Sequence, residues 1–379
     1  MVPFSDIGGS EQVVLDHLRC LDRSRYEPLL VSLRPGDIVD AAQQMGIKVY
    51  ALHPHKTRQV NRVVQAIAQL SAIIKREKID LVFANQGSML LYCGLAAAPL
   101  RRPVVWMIYD PLKGSGAFER AFVAAQQCIR PAWVIAISEE TLRSYLSAYP
   151  KIGRRHSVIA PGTDPSLLEK GANGARARQI LQIPEEAPIF ATLARLQSSK
   201  GHLHLIAAIP RVLNRFPDAR FVIVGDTQFN IEPEYKKMIL QAIQNAGLES
   251  SVRMTGYVSD EQKRDILAAS TAIVHPATWE PFGIAIIEGM AVGKPVVAAQ
   301  STGASRIIQQ GKNGYLVPRE DSEALAQAIL KILDDPAAAT EMGEAGRLRV
   351  QERYHVQKMV RDAEDVFDTV LSGTATTLT

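Results

Sequence analysis

The segment Trp279-Glu280-Pro281-Phe282-Gly283-Ile284-Ala285-Ile286-Ile287-Glu288-Gly289-Met290 sets two glutamates apart by seven residues, with a Pro-Phe-Gly turn after the first. A glycine at 283 can open a helix and lets a ligand approach the backbone closely. The helix start then presents unpaired N–H groups from Phe282 to Ala285, suited to a phosphate or sugar oxygen. Glu288 falls four residues past Ile284, on the same helical face. Its neighbours Ile286, Ile287 and Met290 are apolar, so the carboxylate must find a partner or its burial is costly. The plainer alternative is an ordinary helix with a salt-bridged glutamate. The second carboxylate and the glycine turn favour a site.

A second segment, Ala194-Arg195-Leu196-Gln197-Ser198-Ser199-Lys200-Gly201, ends the apolar run Pro188–Ala194. The ends of α/β strands are where ligands bind. Arg195 and Lys200 place a planar guanidinium and a point-charge ammonium in one strand-to-helix loop, with Ser199 available as a helix cap. That set suits a diphosphate, although two solvated basic residues would read the same. Gly8-Gly9 opens a predicted helix Ser10–Leu21 and would allow close backbone approach to a ligand, as would Gly225 in Val224-Gly225-Asp226. Each of these glycine turns is weak evidence by itself.

Other signals carry less. His53-Pro54-His55 has a proline between its histidines and no acidic neighbour, so it reads as a loop and not as a metal site. His202 and His204 read as capping or packing their helix, and His275 ends a strand close to Glu280. In Lys56–Lys78 the stripe Val60, Val63, Val64, Ile67, Leu70 and Ile74 suits either an anionic membrane or the protein's own core.

Elements that alternate between short β-branched runs and helical patterns must position these residues. In the first half the predicted strands are Pro28–Leu33, Ile47–Leu52, Ile79–Ala84, Pro103–Ile108, Ala132–Ile137 and Ser157–Ile159, with helices that include Phe118–Ile129 and Ser138–Leu146. The pattern pauses at Ala160-Pro161-Gly162-Thr163-Asp164-Pro165, and the following Lys170–Arg178 reads as polar linker. A second alternating series then begins. The expected division is an α/β domain over 1–165, a second over 166–353, and a C-terminal helix within 354–379 that packs back on the first domain and ends in a frayed tail. Both domains are predicted to be Rossmann-like, with facing strand ends that form a cleft. Only Val2-Pro3-Phe4 precede the first glycine turn, so the first strand is expected to be incomplete.

At 379 residues the chain is too long for one ordinary core, and 47% hydrophobic with 22% charged residues excludes a disordered or fibrous protein. Residues 1–165 carry 20 basic against 14 acidic side chains, and the remainder 23 against 25. The basic half suits anionic lipid or an acidic acceptor, and a chance imbalance on a solvated surface reads equally well; nucleic-acid binding would concentrate charge more. Three scattered cysteines without metal spacing, and an N-terminus without a signal-peptide pattern, lead to the expectation of a reduced, cytoplasmic chain.

Taken together, Glu280-x7-Glu288 with Pro281-Phe282-Gly283, the Arg195…Lys200-Gly201 loop, the Val224-Gly225 turn and the early Gly8-Gly9 resemble the retaining, GT-B-type glycosyltransferases of family four over nearly the whole length. The resemblance implies that Glu288 holds the donor ribose, and that Glu280 lies beside the donor sugar with the backbone of Phe282 and Gly283 on its hydroxyls. Ile284 and Ala285 would sit by ribose and diphosphate, while Arg195 and Lys200 neutralise the diphosphate. Tyr257 and Val258 would line the base, and Gly8 and Gly9 would approach the donor phosphate across the cleft. Asp110 matches the aspartate of a His-Asp pair usual in the family, but Tyr109 stands in place of the histidine. Asn85 ends the preceding strand, and Tyr109 and Asn85 fall on the acceptor side.

The implied activity is retaining transfer of a hexosyl group from a UDP- or GDP-sugar to a lipid-linked or polysaccharide precursor of a cell-envelope glycan. The nucleotide sugar is a substrate; no cofactor and no metal are expected, and the chain has no Asp-x-Asp motif. Peripheral contact with the inner face of a membrane, through the basic first domain, is a further expectation. The alternatives are a nucleotide-sugar-binding protein that has lost catalysis, a nucleotide-sugar epimerase or a phosphorylase.

Overall fold

Runs of valine, isoleucine and alanine bounded by glycine and proline make strands buried on both faces, and such strands pair in parallel under helical layers. A computed structural model of the chain describes residues 1–3, 7–52, 60–112, 124–149, 155–227 and 232–373. It divides into two compact units, Met1–Pro161 with Val356–Thr379, and Gly162–His355.

The second unit holds a six-stranded sheet in the order β12-β11-β10-β7-β8-β9. Its strands are β7 (Ile189–Leu193), β8 (Arg220–Val224), β9 (Val252–Gly256), β10 (Ala272–His275), β11 (Val296–Ala299) and β12 (Gly314–Val317). All neighbours are parallel. Phe190 and Phe221 stack across β7 and β8 with centroids 5.4 Å apart in the core. The chain winds outward in both directions from β7, so the order reverses between β7 and β10. That switch point is where open α/β sheets bind ligands, because the two following loops diverge to opposite faces.

The first unit contains β1 (Leu29–Ser32) and β2 (Lys48–Ala51) as one parallel pair, and β3 (Val82–Asn85), β4 (Val104–Ile108), β5 (Trp133–Ala136) and β6 (His156–Val158) as a four-stranded parallel sheet. Met1 and Val2 lie between these sheets. Val2 N–H donates to Val31 O at 3.0 Å, and the Met1 ammonium donates to Phe83 O at 2.7 Å. The helix Val356–Leu371 packs on helix Gly9–Cys20 of this unit, with Phe367 edge-on to Phe83 at 5.1 Å.

Some sequence expectations change. The stretch read as linker contains a helix, Gly174–Leu181, capped by Asn173 and tied down by Arg176, which bonds Asp265. Helices also form at Asp37–Gln44 and Met89–Ala97, where none was expected. The stripe on helix Val60–Arg76 faces the unit's own core through Leu70 and Ile74, with Val63 and Ile67 packed against it; only Val64 of the described stripe residues is exposed. The His53-Pro54-His55 motif lies outside the described residues, as do residues 118–123 of the predicted helix Phe118–Ile129. Among the described residues, no helix is long and apolar enough to cross a membrane.

Candidate active site

The loop after β7 is held in a conformation that glycine permits. Gly201 has φ +72°, and a Cβ there would sit 2.0 Å from the Pro276 carbonyl oxygen. Removing that side chain lets the β7 and β10 loops touch. The helix His202–Leu213 starts at Gly201 without a side-chain cap. Ser199 does not cap it; its carbonyl instead accepts from Thr278 N–H at 2.9 Å, joining the same two loops.

This junction carries a buried charge cluster. Lys200 Nζ donates to Glu280 Oε2 at 2.8 Å, and His275 Nε2 lies 3.1 Å from the same oxygen. Burial by itself would raise the Glu280 carboxyl, but the Lys200 charge and the His275 hydrogen bond outweigh it and hold the group well below the usual carboxylate range. Glu280 is therefore an anion at neutral pH. Beneath the loop, His202 is fully buried, edge-on to Tyr235. Burial, helped by nearby His275 and Lys200, lowers its pKa to about 4, so it is neutral.

Gly283 takes φ +108° and starts the helix Ile284–Ala291. Ile284 and Ala285 are half-buried, whereas Ile286 to Ala291 are buried, so the first turn is the open end of an otherwise enclosed helix. The Phe282 ring packs edge-on against Tyr354, and its carbonyl lies against Gly303, where a Cβ would sit 2.0 Å away. Glu288 is 8% exposed and meets Lys263 Nζ at 2.9 Å. The salt-bridged alternative is thus realised for this glutamate, and the partner comes from helix Asp260–Ala269. No local signal in the sequence marks Lys263, since the pairing spans two elements.

Arg195 is half-buried on the Lys200 loop. Its neighbours are pinned to the end of β8: Ala194 N–H donates to Val224 O at 3.0 Å and Leu196 N–H to Asp226 O at 3.1 Å. The close approach at Gly225 is to this loop, because a Cβ there would lie 2.1 Å from Ala194 O. Tyr257 is 62% exposed, and with Val258 it lines a hollow of about 150 Å³ beside Gln262.

Gly8, Gly9, Asn85, Tyr109 and Asp110 belong to the first unit. Gly8 N–H donates to Glu11 Oε2 at 3.2 Å, closing the start of the first helix. Glu11 is 3% exposed and also accepts from Gln86 Nε2 at 2.8 Å. Neither Glu11 nor Gln86 was singled out from the sequence, where both look like ordinary polar residues. The Tyr109 hydroxyl donates to buried Asn85 Oδ1 at 2.9 Å, and burial, with Glu11 nearby, raises its pKa well above the normal tyrosine value. Tyr109 is consequently a neutral donor, while Asp110 is exposed.

Comparison with known proteins agrees with this layout. The family model described as glycosyl transferases group 1 matches residues 174–349, and that of glycosyltransferase family 4 matches residues 7–167. The chain belongs to glycosyltransferase family four. Its fold is GT-B, two Rossmann-like α/β units. The D-inositol 3-phosphate glycosyltransferase of Corynebacterium glutamicum is 29% identical over 228 residues, 59% of this chain and 54% of that protein. The chain thus spans about half the length of the curated relatives it matches. Anabaena HepE, solved with UDP and glucose, superposes with TM-score 0.82 at 26% identity, covering 97% of this chain and 99% of HepE. The same protein solved with UDP-glucose gives 0.83 at 25% identity, over 97% and 98%.

Proposed function

We propose that the chain is a retaining glycosyltransferase that moves a hexosyl group from a nucleoside-diphosphate sugar to a glycan or lipid-linked acceptor. The observation that carries this reading is the Lys200–Glu280–His275 cluster at the β7/β10 switch point, one turn from the open helix start at Gly283. A departing diphosphate concentrates negative charge, and preorganised cations with a helix N-terminus stabilise it without reorganisation. Lys200 and Arg195 supply the cations, so the reading needs no metal. Glu288 holds the ribose and Glu280 the sugar. The bond from the anomeric carbon to the phosphate oxygen breaks while the acceptor oxygen bonds to the same face. The acceptor proton passes to the departing phosphate.

Uridine is the favoured base, because HepE was solved with UDP and with UDP-glucose; GDP-sugars are the competing donors. The acceptor is a cell-envelope glycan precursor, and the protein works in the cytoplasm with its basic first unit toward an anionic membrane. One observation favours a second reading, a donor-binding protein without turnover: Tyr109, at the position usual for histidine, is already bonded to Asn85 and cannot take a proton at neutral pH.

Turnover of UDP- and GDP-sugars with mixed glycan and lipid-linked acceptors, followed by NMR of the product's anomeric proton, tests the proposal. A product of the donor's own anomeric configuration is expected. An inverted product contradicts the mechanism, and tight UDP binding with no product from any acceptor supports the second reading.

A further inference from the structure

Glu280 is held at one oxygen by two side chains of different stiffness. Its Oε2 accepts from Lys200 Nζ at 2.8 Å and lies 3.1 Å from His275 Nε2, and no described residue bonds its Oε1. Lys200 ends the 3-10 turn Ser198–Lys200 and reaches the carboxylate on a flexible stem. His275 instead ends β10, in register with Ala298 of β11, and its short side chain is buried. The other residues of β10, Ala272, Ile273 and Val274, are apolar and inaccessible. Another apolar side chain would serve packing better there, because burying an imidazole is costly unless it is hydrogen-bonded. Nδ1 of His275 is buried with no hydrogen-bond partner among the described residues. The bond to Glu280 is therefore what offsets burial of the ring.

A carboxylate anion can only accept, so the imidazole proton sits on Nε2. With Nε2 engaged by Glu280 and Nδ1 enclosed, the ring meets no reacting atom and cannot act as a general base. The charges of Lys200 and Glu280 cancel, so the pair as it stands attracts a diphosphate weakly. A diphosphate gains the full ammonium only when Lys200 turns away from Glu280. The two loops are locked backbone to backbone, with Thr278 N–H on Ser199 O and Gly201 against Pro276 O, so that turn belongs to the lysine side chain. Lys200 uses one N–H on Glu280 and has others to offer, so it can grip a phosphate oxygen before it lets go. An enclosed carboxylate stripped of its cation is costly unless another donor remains on it.

We propose, resting on the reading of Lys200 as countercharge to the diphosphate, that His275 is a positioning residue: it keeps Glu280 in place while Lys200 passes from that carboxylate to the donor. Without donor, Lys200 is parked on Glu280. With donor bound, His275 holds Oε2, and Oε1 is left to accept from a sugar hydroxyl. No covalent bond forms or breaks in this exchange, and no proton changes owner. It takes place on binding, so the cation already sits at the phosphate when the glycosyl bond breaks, and the chemical step itself needs no reorganisation. His275 thus sets the affinity for UDP without touching it, and does so only through Glu280.

Calorimetric titration with UDP, or with GDP should UDP not bind, tests this in a cycle over His275 and Glu280. His275→Phe is expected to weaken binding about tenfold, because Lys200 then leaves the carboxylate without a partner. His275→Gln, whose amide N–H can replace Nε2–H, should bind within about threefold of the native chain. In the Glu280→Gln background, His275→Phe should change affinity by less than about twofold, since no charge is left to hold. Equal losses in both backgrounds would show that the ring acts through packing and would overturn the proposal, as would native affinity in His275→Phe. Lys200→Ala tells this failure from that of the underlying reading. Unchanged affinity in that variant, or a native chain that binds neither nucleotide, removes the reading and the exchange together. Weakened binding in Lys200→Ala without coupling between His275 and Glu280 removes the exchange alone. Should His275→Phe fail to fold, nitrogen-15 NMR of the native chain decides. The His275 ring is expected to carry its proton on Nε2 with and without nucleotide, and a proton on Nδ1 in either state would overturn the proposal.

Discussion

The two units meet their buried carboxylates in different ways. The second unit meets each of its enclosed carboxylates with a cation: Glu280 with Lys200, Glu288 with Lys263, and Asp265 with the more exposed Arg176. The first also buries carboxylates, Glu11, Asp16 and Glu364, but meets them largely with neutral donors, Gln86, Gln12 and the Asp22 N–H, beside exposed Arg19 on Asp16, and it adds the neutral pairs Tyr109 on Asn85 and Tyr149 on Gln126. A leaving diphosphate requires fixed countercharge, whereas an acceptor hydroxyl requires shape and neutral donors. The contrast is what the proposed reaction demands of its two halves.

The largest expected effect lies in the charged unit. Lys200→Ala should lower transfer by about 10²–10³-fold with the circular dichroism spectrum unchanged, because Lys200 is the cation bonded to Glu280. Tyr109→Phe in the neutral unit should lower it only a few-fold, since it removes one neutral hydrogen bond. Comparable losses in both variants, measured as kcat/KM, would erase the contrast.

Two glycines with nearly equal φ sharpen it further. Gly201 and Gly46 have φ of +72° and +73°, but a Cβ on Gly201 meets Pro276 O at 2.0 Å while one on Gly46 meets nothing within 4 Å. Gly46→Ala should cost about 1 kcal/mol, the left-handed strain by itself. Gly201→Ala should cost about 3 kcal/mol and distort the loop that carries Lys200. Denaturant unfolding of both variants, read beside activity, separates them.

The pH response is a comparison in which the units should agree. Burial lowers His17 in the first unit and His202 in the second from 6.5 to about 4. The unfolded chain binds these protons near 6.5 and the folded chain does not until about 4, so stability falls as pH drops through that window. The loss is up to about 3 kcal/mol for each histidine. Glu280, whose carboxyl is depressed when folded, adds a loss that begins below the ordinary carboxylate pKa. Thermal melts from pH 7.5 to 4 should show that His202→Phe and His17→Phe each flatten part of the decline; an unchanged slope in either would contradict this origin.

Much of this was legible in the sequence because strand-end chemistry is local. Glu280, Gly283, Lys200 and Gly201 sit within short segments whose residue types announce tight turns and countercharge. The strands were legible to within a few residues at their ends: Pro103–Ile108 contains β4, and Ala132–Ile137 contains β5. Five helices among the described residues were not, two of them the short Pro165–Glu169 and Thr302–Ile307. Met89–Ala97 is buried nearly all round, with Leu90, Tyr92 and Cys93 inaccessible, so it has no polar face to set a period. Asp37–Gln44 is only eight residues long. Gly174–Leu181 has a single buried residue, Ala177, and owes its place to Arg176 reaching Asp265. The Lys263–Glu288 pair escaped because its members are 25 positions apart, and no single-sequence pattern joins them.

Calorimetric titration of the chain with UDP tests the central claim most directly, alongside Glu288→Ala and Lys200→Ala. Saturable binding by the native chain, weakened at least about tenfold in each variant, a difference of about 1.4 kcal/mol, is the predicted result. Binding of UDP with unchanged affinity in both variants, or no binding of either UDP or GDP to the native chain, would contradict it.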